Sequence, residues 1–290
     1  MKVGFLGTGL MGLPMAQRLL ETNIELVAYN RTPAKLEPLR VAGAAIAQHP
    51  HEVIRACECV ILMLTDASAI RSMLLSDPSR QQLAGRTVIQ MGTITPTDSR
   101  AIRDEVVAAG GEYLEAPVLG SIPEALAGKL IVMVGGSTKQ FQRWLELLQH
   151  FGCEPLLIGS VGTAAAVKLA LNQLIASLTA AFALSLGFVQ HQGIDIELFM
   201  QILRNSALYA PTFDKKLQRM IDQNYSNPNF PTKHLMKDTD LFIAEAKSAG
   251  LNISSIEGVR KLLEMVVNKG LAEQDYSSLF SAINPEEPLQ

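Results

Sequence analysis

The chain has 290 residues, of which 48% are hydrophobic, and its formal net charge is −3 at pH 7 with an isoelectric point near 6.0. The length predicts two domains, and the apolar content is sufficient for packed cores. The small negative charge argues against nucleic acid or an anionic membrane as a partner. We also find no apolar run of about 18 residues without polar interruption, so we expect no membrane span.

The first predicted strand, residues 2–6, leads directly into a glycine-rich turn and a helix. The first glycine permits a tight turn, the second lets a pyrophosphate approach the backbone, and the third allows the helix to pack closely on the strand. The free N–H groups and the positive end of that helix would face the phosphates. This context favours a dinucleotide site over an ordinary strand-turn-helix. The cofactor contacts predicted here are Gly7, Thr8, Gly9, Leu10, Met11 and Gly12.

The second predicted strand, residues 25–29, ends at Asn30, Arg31 and Thr32. An NAD site usually places a carboxylate here to bind the ribose hydroxyls, and that carboxylate would repel a 2′-phosphate. Arg31 instead offers a planar cation suited to phosphate. The alternative is that Arg31 is a solvated turn residue and that Thr32 caps a helix beginning at Pro33. We predict that all three residues contact the cofactor and that the cofactor is NADP (NADPH).

Strands and helices continue to alternate up to about residue 158. The further predicted strands are 58–64, 87–91, 112–114, 130–134 and 155–158, with a short one near 44–47, and examples of the helices between them are 33–41, 97–109 and 138–150. This order predicts an α/β fold with a Rossmann-type parallel sheet covered by helices on both faces. Ligands of such sheets bind beyond the carboxyl ends of the strands. That rule places Leu64 and Thr65, together with the loops 91–93 and 116–121, beside the cofactor.

The three cysteines and five histidines predict no metal site. Cys57, Cys59 and Cys153 form no CxxC pair and no zinc-ligand spacing, and the histidines show no ligand pattern. Two of the thiols adjoin the apolar run 60–64, so we expect them to be buried and free, as in a reducing cytosol. We therefore expect a cytoplasmic protein, whose N-terminus is a strand with a charged second residue rather than a signal peptide.

The pattern changes near Gly162. Residues 163–191 carry no strand signal and are rich in alanine and leucine, which predicts one helix about 43 Å long at 1.5 Å per residue. Further helices are predicted at 195–205, 211–222, 233–249 and 254–268. We therefore predict a dinucleotide-binding domain over 1–161 and an all-helical substrate and oligomerisation domain over 162–290, joined by the long helix.

Lys168 is a solitary cation in an apolar segment of this helix, and Asn172 lies four residues further on, on the same face. Two interpretations of the lysine remain open. Its stem can be buried with the ammonium in water, or the ammonium can serve a reaction. Asn172 alone is equally consistent with a hydrogen bond between helices.

Four blocks of sequence resemble the β-hydroxyacid dehydrogenase family, in the family's order and spacing: residues 4–12, 115–121, 159–172 and 230–238. Asn30-Arg31-Thr32 and the stretch 52–57 are most similar to its glyoxylate/succinic semialdehyde reductase branch. The resemblance implies that Lys168 is the catalytic acid or base and that Ser121 and Gly120, Asn172, Phe230 and Asp238 surround the substrate. It also implies that Thr93 and Lys237 lie at the cofactor. Without it, we would interpret Lys237 and Asp238 as a solvated helix face.

The resulting hypothesis is NADPH-dependent reduction of a small aldehyde or ketone that carries a carboxylate, with glyoxylate and succinic semialdehyde as leading substrates. Leu119 stands where many 3-hydroxyisobutyrate dehydrogenases carry serine, which weakens, without removing, that alternative. An imine reductase generally has another residue at the lysine position. A non-catalytic NADP-binding module tends to lose the lysine and to carry extra domains. The apolar helical half and the resemblance both lead us to expect a homodimer or homotetramer.

Overall fold

A computed structural model of the chain describes residues 1–285. Contacts within it divide the chain into two compact units, residues 1–168 and residues 169 onwards. The predicted domain boundary after residue 161 stays a prediction. The long helix, α9, begins in the first unit and continues through the division.

The first unit is an α/β unit built on a mixed sheet. Its strands are β1 Lys2–Leu6, β2 Glu25–Tyr29, β3 Ala45–Ile46, β4 Cys59–Leu62, β5 Thr87–Gln90, β6 Glu112–Glu115, β7 Val118–Leu119, β8 Ile131–Gly135 and β9 Leu156–Gly159. Its helices are α1 Gly12–Glu21, α2 Glu37–Val41, α3 Pro50–Ala56, α4 Ala67–Leu74, α5 Asp77–Arg80, α6 Pro96–Ala108, α7 Ile122–Leu126 and α8 Thr138–Gln149. A 3₁₀ turn, Pro33–Leu36, precedes α2.

The strand order is β3-β2-β1-β4-β5-β6-β8-β7, with β9 paired to β8. The first six strands follow the order of doubly wound dinucleotide-binding sheets, and their switch point lies between β1 and β4. The α/β prediction is therefore confirmed. The predicted parallel sheet extends over β1 to β6, and the structure departs from it at one end, where β8 pairs antiparallel with both β6 and β7.

Alternation along the central strands builds a core on each face of the sheet. Val3 and Phe5 of β1 pack into one cluster, whereas Leu6 packs into another. In β4, Ile61 and Leu62 are divided in the same way. Since successive strand residues point to opposite faces, the two clusters lie under helices on opposite sides of the sheet.

The second unit is helical throughout its described part, residues 169–285, and forms no strand longer than a single bridge there. Helix α9, Thr163–His191, is followed by α10 Ile196–Arg204, α11 Pro211–Ile221, α12 Thr232–Ser248, α13 Ser254–Asn268, a 3₁₀ turn Tyr276–Leu279 and α14 Phe280–Ile283. The unit has its own apolar core, in which the rings of Phe182 and Phe213 stack with centroids 4.7 Å apart.

Helix α9 has the bounds that the sequence predicts. By length and composition alone it could cross a membrane, with a mean hydropathy of 1.7 over an 18-residue window. Polar residues such as Asn172, Ser177 and Ser185 interrupt the helix, so it contains no uninterrupted apolar run of about 18 residues, although its mean hydropathy is high. Core helices of folded domains meet the same criterion, and 44% of this window is buried within the structure. The absence of a membrane partner stays a prediction.

Candidate active site

The glycine-rich turn between β1 and α1 has the geometry that a dinucleotide requires. Gly7 has φ +98° and a side chain there would collide with the Met63 carbonyl, so only glycine fits. A side chain at Gly12 would collide with the Gly7 carbonyl, which lets α1 begin against the turn. Gly9 faces open space and is exposed. The turn therefore leaves an accessible backbone beside the helix N-terminus, and a pyrophosphate fits there.

Asn30 ties this turn to the end of β2. Its Oδ1 accepts the Thr8 N–H at 3.1 Å, and its Nδ2 donates to the Thr32 carbonyl at 3.0 Å. Both ends of the Asn30 amide are thus hydrogen-bonded to the backbone of the protein. Arg31 and Thr32 are exposed beside this link. Thr32 stands at the N-cap position of the 3₁₀ turn but makes no side-chain capping bond, so the capping alternative is wrong in that respect.

The loops after β4 and β5 lie at the same edge of the sheet as the glycine-rich turn, since β1, β4 and β5 run parallel. A side chain at Gly92 would collide with the backbone of Leu64, so these two predicted loops are in contact. Thr65 is exposed and Thr93 is half-buried. The structure thereby brings the predicted cofactor residues of the first unit to one edge.

Gly120 and Ser121 lie between β7 and α7. Gly120 has φ +139°, which again requires glycine. The Ser121 N–H donates to the Glu124 carboxylate at 2.9 Å, and the Ser121 hydroxyl is also bonded to Glu124. The hydroxyl proton predicted to hold a substrate carboxylate is therefore already used by an internal carboxylate. Sequence reasoning missed Glu124, although a Ser-x-x-Glu spacing is the signature of a capping box.

Lys168 lies half-buried in the second turn of α9. The first turn of that helix is held by Glu115, the last residue of β6 and fully buried. Glu115 accepts hydrogen bonds from three backbone N–H groups at the start of α9 and is bonded to the Ser99 hydroxyl. Burial raises the pKa of the Glu115 carboxyl, and these hydrogen bonds oppose the rise. Glu115 lies in one of the family-like blocks, but no sequence pattern predicts a role for it.

In the second unit, Asn172 and Asp238 form a buried pair between α9 and α12. Asn172 Nδ2 donates to Asp238 Oδ2 at 2.6 Å, and Lys237 Nζ lies 2.9 Å from Asp238 Oδ1. The interpretation of Asn172 as a hydrogen bond between helices is confirmed. A solvated face is wrong for Asp238, which is only 3% exposed. Among residues 1–285, Asn172 Oδ1 is buried without a hydrogen-bond partner.

Phe230 precedes α12 and packs edge-on against Tyr276, with ring centroids 5.8 Å apart. Its ring also lies 6.4 Å from that of His234. The three predicted residues Asn172, Asp238 and Lys237 are brought together. Phe230 lies just before the start of α12, the helix that carries Lys237 and Asp238. No group of three or more His, Cys, Asp or Glu side chains in the described part of the chain could hold a metal ion.

A glycine-rich turn at the switch point of a doubly wound sheet, followed by a helical unit, defines the class of nicotinamide-dependent dehydrogenases. Residues 2–160 match the family model described as the NAD binding domain of 6-phosphogluconate dehydrogenase. Residues 162–283 match the model described as NAD-binding of NADP-dependent 3-hydroxyisobutyrate dehydrogenase. The chain belongs to the β-hydroxyacid dehydrogenase family. It is an NAD(P)-dependent oxidoreductase that acts on CH–OH groups.

Individual relatives agree with this assignment. The chain is 30% identical over 285 residues to glyoxylate/succinic semialdehyde reductase 1 of Arabidopsis thaliana, covering 98% of both chains. It is 30% identical over 298 residues to the mitochondrial 3-hydroxyisobutyrate dehydrogenase of Mus musculus, covering 99% of this chain and 88% of that one. The solved 3-hydroxyisobutyrate dehydrogenase of Mycobacterium tuberculosis shares the fold, with a TM-score of 0.88 at 20% identity over 97% and 98% of the two chains.

Proposed function

We propose that the protein uses NADPH to reduce a small aldehyde or ketone that bears a carboxylate, with Lys168 as the general acid. The observation that carries the proposal is the position of Lys168. It is a charged side chain in an apolar helix, and the turn before it is fixed from inside the fold by Glu115. A cation held on such a support is suited to catalysis, which needs a proton donor in a defined place.

The preference for NADP rests on the end of β2. Arg31 is exposed there, and Asn30 rather than a carboxylate occupies the turn that links β2 to the glycine-rich segment. The backbone around Gly9 would receive the pyrophosphate, and Arg31 with Thr32 would receive the 2′-phosphate. Thr65, Thr93 and Lys237 are proposed as further contacts.

Bound NADPH supplies the hydride. The Lys168 ammonium would hold a proton on Nζ, donate it to the carbonyl oxygen of the substrate, and stabilise negative charge on that oxygen. Asn172 is fixed through its Nδ2 by Asp238, so its Oδ1 is available to accept a hydrogen bond from a hydroxyl group. In the oxidative direction Lys168 would act as the base.

The identity of the carbonyl acid is a finer proposal. Glyoxylate and succinic semialdehyde are our leading substrates because the segment Asn30-Arg31-Thr32 is similar to that branch of the family. A 3-hydroxyisobutyrate dehydrogenase is the alternative, since the Mus musculus enzyme of that name is also 30% identical to the chain. Ser121 and Gly120 are proposed to hold the substrate carboxylate, which requires that Glu124 release the Ser121 hydroxyl.

The test is spectrophotometric oxidation of NADPH, and of NADH in parallel, with glyoxylate, succinic semialdehyde and methylmalonate semialdehyde. Oxidation of 3-hydroxyisobutyrate with NADP⁺ tests the alternative. Lys168→Ala should lower kcat by about 10²–10⁴-fold and change the Kd for NADPH by less than about twofold. Normal turnover by this variant would refute the role of Lys168. No turnover of any acid by the native protein would favour a non-catalytic module.

We also propose that the protein is a homodimer or homotetramer in the cytoplasm. In the second unit, α9 exposes Leu184 and Phe188, each 63% accessible, and α10 exposes Leu198 and Ile202. Exposed apolar side chains at helical spacing on two helices form the kind of surface that associates with another copy of the same chain.

A further inference from the structure

The start of α9 is bonded to a carboxylate that comes from a distant part of the sequence. One oxygen of Glu115, Oε1, accepts the N–H groups of Gly162, Ala164 and Ala165 at 2.8, 2.9 and 3.1 Å. These donors lie 47 to 50 residues further along the chain. The first N–H groups of a helix have no partner within the helix and form its positive end. A buried carboxylate here satisfies three such donors and matches their charge.

The surroundings of Glu115 are shaped for this contact. Gly162 has φ +103°, which a side chain would strain, and a side chain at Gly135 would collide with the Glu115 carboxylate. The other carboxylate oxygen is bonded to the Ser99 hydroxyl, and Ser99 Oγ lies 2.9 Å from the Tyr113 hydroxyl. Both carboxylate oxygens of Glu115 are therefore hydrogen-bonded, and the lack of a side chain at Gly135 leaves room for the carboxylate.

A single peptide group links this carboxylate to Lys168. The Ala165 N–H, which donates to Glu115, belongs to the same planar peptide as the Ala164 carbonyl. In an α-helix that carbonyl accepts the N–H of the residue four positions later, which is Lys168. Glu115 and the backbone N–H of Lys168 are thus bonded to opposite ends of one rigid plane. Lys168 lies about 4.5 Å beyond Ala165 along the helix axis, at 1.5 Å per residue.

We propose that Glu115 is a positioning residue for the reaction, which fixes the first turn of α9 and thereby the place from which Lys168 delivers its proton. The inference rests on the proposed function, in which Lys168 is the acid. Glu115 also ends the strand that leads into the loop carrying Gly120 and Ser121. Glu115 thus stands in the segment that leads to the loop proposed to hold the substrate carboxylate, while its side chain fixes the helix proposed to supply the proton.

Two variants test the inference by different changes to the same contact. Glu115→Gln keeps the reach of the side chain but replaces charge-assisted bonds by neutral ones, which are about half as strong, and should lower kcat about tenfold. Glu115→Asp keeps the charge but withdraws it by one methylene, and should lower kcat about a hundredfold. In both, the KM for NADPH should stay within about twofold, because the glycine-rich turn is untouched.

A second readout separates positioning from general stability. Poor placement of the acid makes proton transfer more rate-limiting, so the solvent deuterium isotope effect on kcat should rise in both variants. The amides of Ala164 and Ala165 should exchange with solvent faster than in the native protein. Glu112→Gln and Glu112→Asp make the same changes at the exposed start of the same strand and should leave all of these measurements unchanged.

If one variant fails to fold, the other decides. A native kcat in a folded Glu115 variant overturns the inference, as does a loss that appears in the KM for NADPH or a native isotope effect. Lys168→Ala in the same assay distinguishes a failure of the proposed function from a failure of the positioning role. If Lys168→Ala turns over normally, the proposed function fails. If it is inactive while both Glu115 variants are native, only the positioning role fails.

Discussion

Asn172 Nδ2 lies 2.6 Å from Asp238 Oδ2, and this contact joins helices whose sequence positions are 66 residues apart. Both side chains are buried, so the amide and the carboxylate each depend on the other. Asp238 has Lys237 as a second partner at its other oxygen. The pair therefore fixes the Nδ2 end of the Asn172 amide, whereas its Oδ1 is buried without a hydrogen-bond partner among residues 1–285.

A double-mutant cycle should detect this dependence. Asn172→Ala and Asp238→Ala should each lower the free energy of unfolding by about 1–3 kcal/mol, because each leaves a buried polar partner without its hydrogen bond. Their coupling energy in urea unfolding should exceed about 1 kcal/mol. The exposed pair Lys247 and Glu257 serves as the control, with a coupling below about 0.5 kcal/mol. Additive losses at Asn172 and Asp238 would contradict the contact.

Arg31 should decide between the two nicotinamide cofactors. Loss of a charge-assisted hydrogen bond to phosphate weakens binding by about 10–100-fold. Arg31→Ala should therefore reduce kcat/KM for NADPH by that factor and leave kcat/KM for NADH nearly unchanged. Arg40→Ala is the matched control, since Arg40 is exposed and paired with Glu37 of its own helix, α2. Equal losses with NADPH and NADH would show that Arg31 does not recognise the 2′-phosphate.

The buried ion pair of the second unit should be important for stability. Lys216 Nζ lies 2.8 Å from Asp275 Oδ1 and 4.1 Å from the centroid of the Tyr276 ring. Asp275 is fully buried, so Lys216→Met would leave its charge without a cation and should cost about 3–5 kcal/mol of unfolding free energy. Lys233→Met removes an exposed pair with Glu273 and should cost less than about 1 kcal/mol. Similar losses in the two variants, measured by urea unfolding, would contradict this interpretation.

His234 should make the protein sensitive to mild acid. Burial lowers its pKa below 6.5, and Lys233 and Lys237 act in the same direction. Above about pH 6.5 both the folded and the unfolded states carry a neutral ring, and His234 contributes no pH dependence. As the pH falls below that value, the unfolded state takes up the proton first, so the free energy of unfolding decreases until the pH passes the pKa of the folded state.

His234→Gln should reduce this decrease. The measurement is the urea midpoint near pH 7.5 and near pH 5. His51→Gln, the same substitution in the first unit, should keep the native difference between the two midpoints. A native difference in the His234 variant would assign the acid sensitivity to other groups.

The exposed apolar side chains of α9 should hold copies of the chain together. Leu184→Asp combined with Phe188→Asp places two charges on that surface and should shift the mass measured by light scattering towards that of the monomer. Val107→Asp on α6 is the control, because Val107 is also exposed and apolar but lies in the first unit. An unchanged mass in the double variant would place the interface elsewhere or leave the native protein monomeric.

Local patterns predicted most of the fold. The strand at 2–6, the strand at 25–29 and the helices at 163–191 and 254–268 have the predicted bounds, because their periodicity and composition are continuous over the whole element. The two-residue strand β7 was missed, since it lies between Pro117 and Gly120 and is defined by its pairing with β8 rather than by its own sequence. The antiparallel direction of β8 was missed for the same reason.

The residues of the candidate site also differ in how far local sequence predicts them. The glycines of the turn were predictable from their spacing alone, because Gly7, Gly9 and Gly12 follow directly on a predicted strand and precede a predicted helix. The contacts of Glu115 with α9 and of Ser121 with Glu124 depend on side chains that the family blocks do not relate to one another. The burial of Glu115 at the end of β6 results from the packing of whole helices and strands, so no local sequence pattern predicts it.

If NADP is the cofactor, as proposed, the amide of Asn30 limits how the preference could be changed to NAD. An aspartate at this position could still accept the Thr8 N–H, but it would lose the donor that now holds the Thr32 carbonyl. Asn30→Asp would thus loosen the turn after β2, on which Arg31 lies. Redesign should begin at Arg31 and leave its neighbour intact.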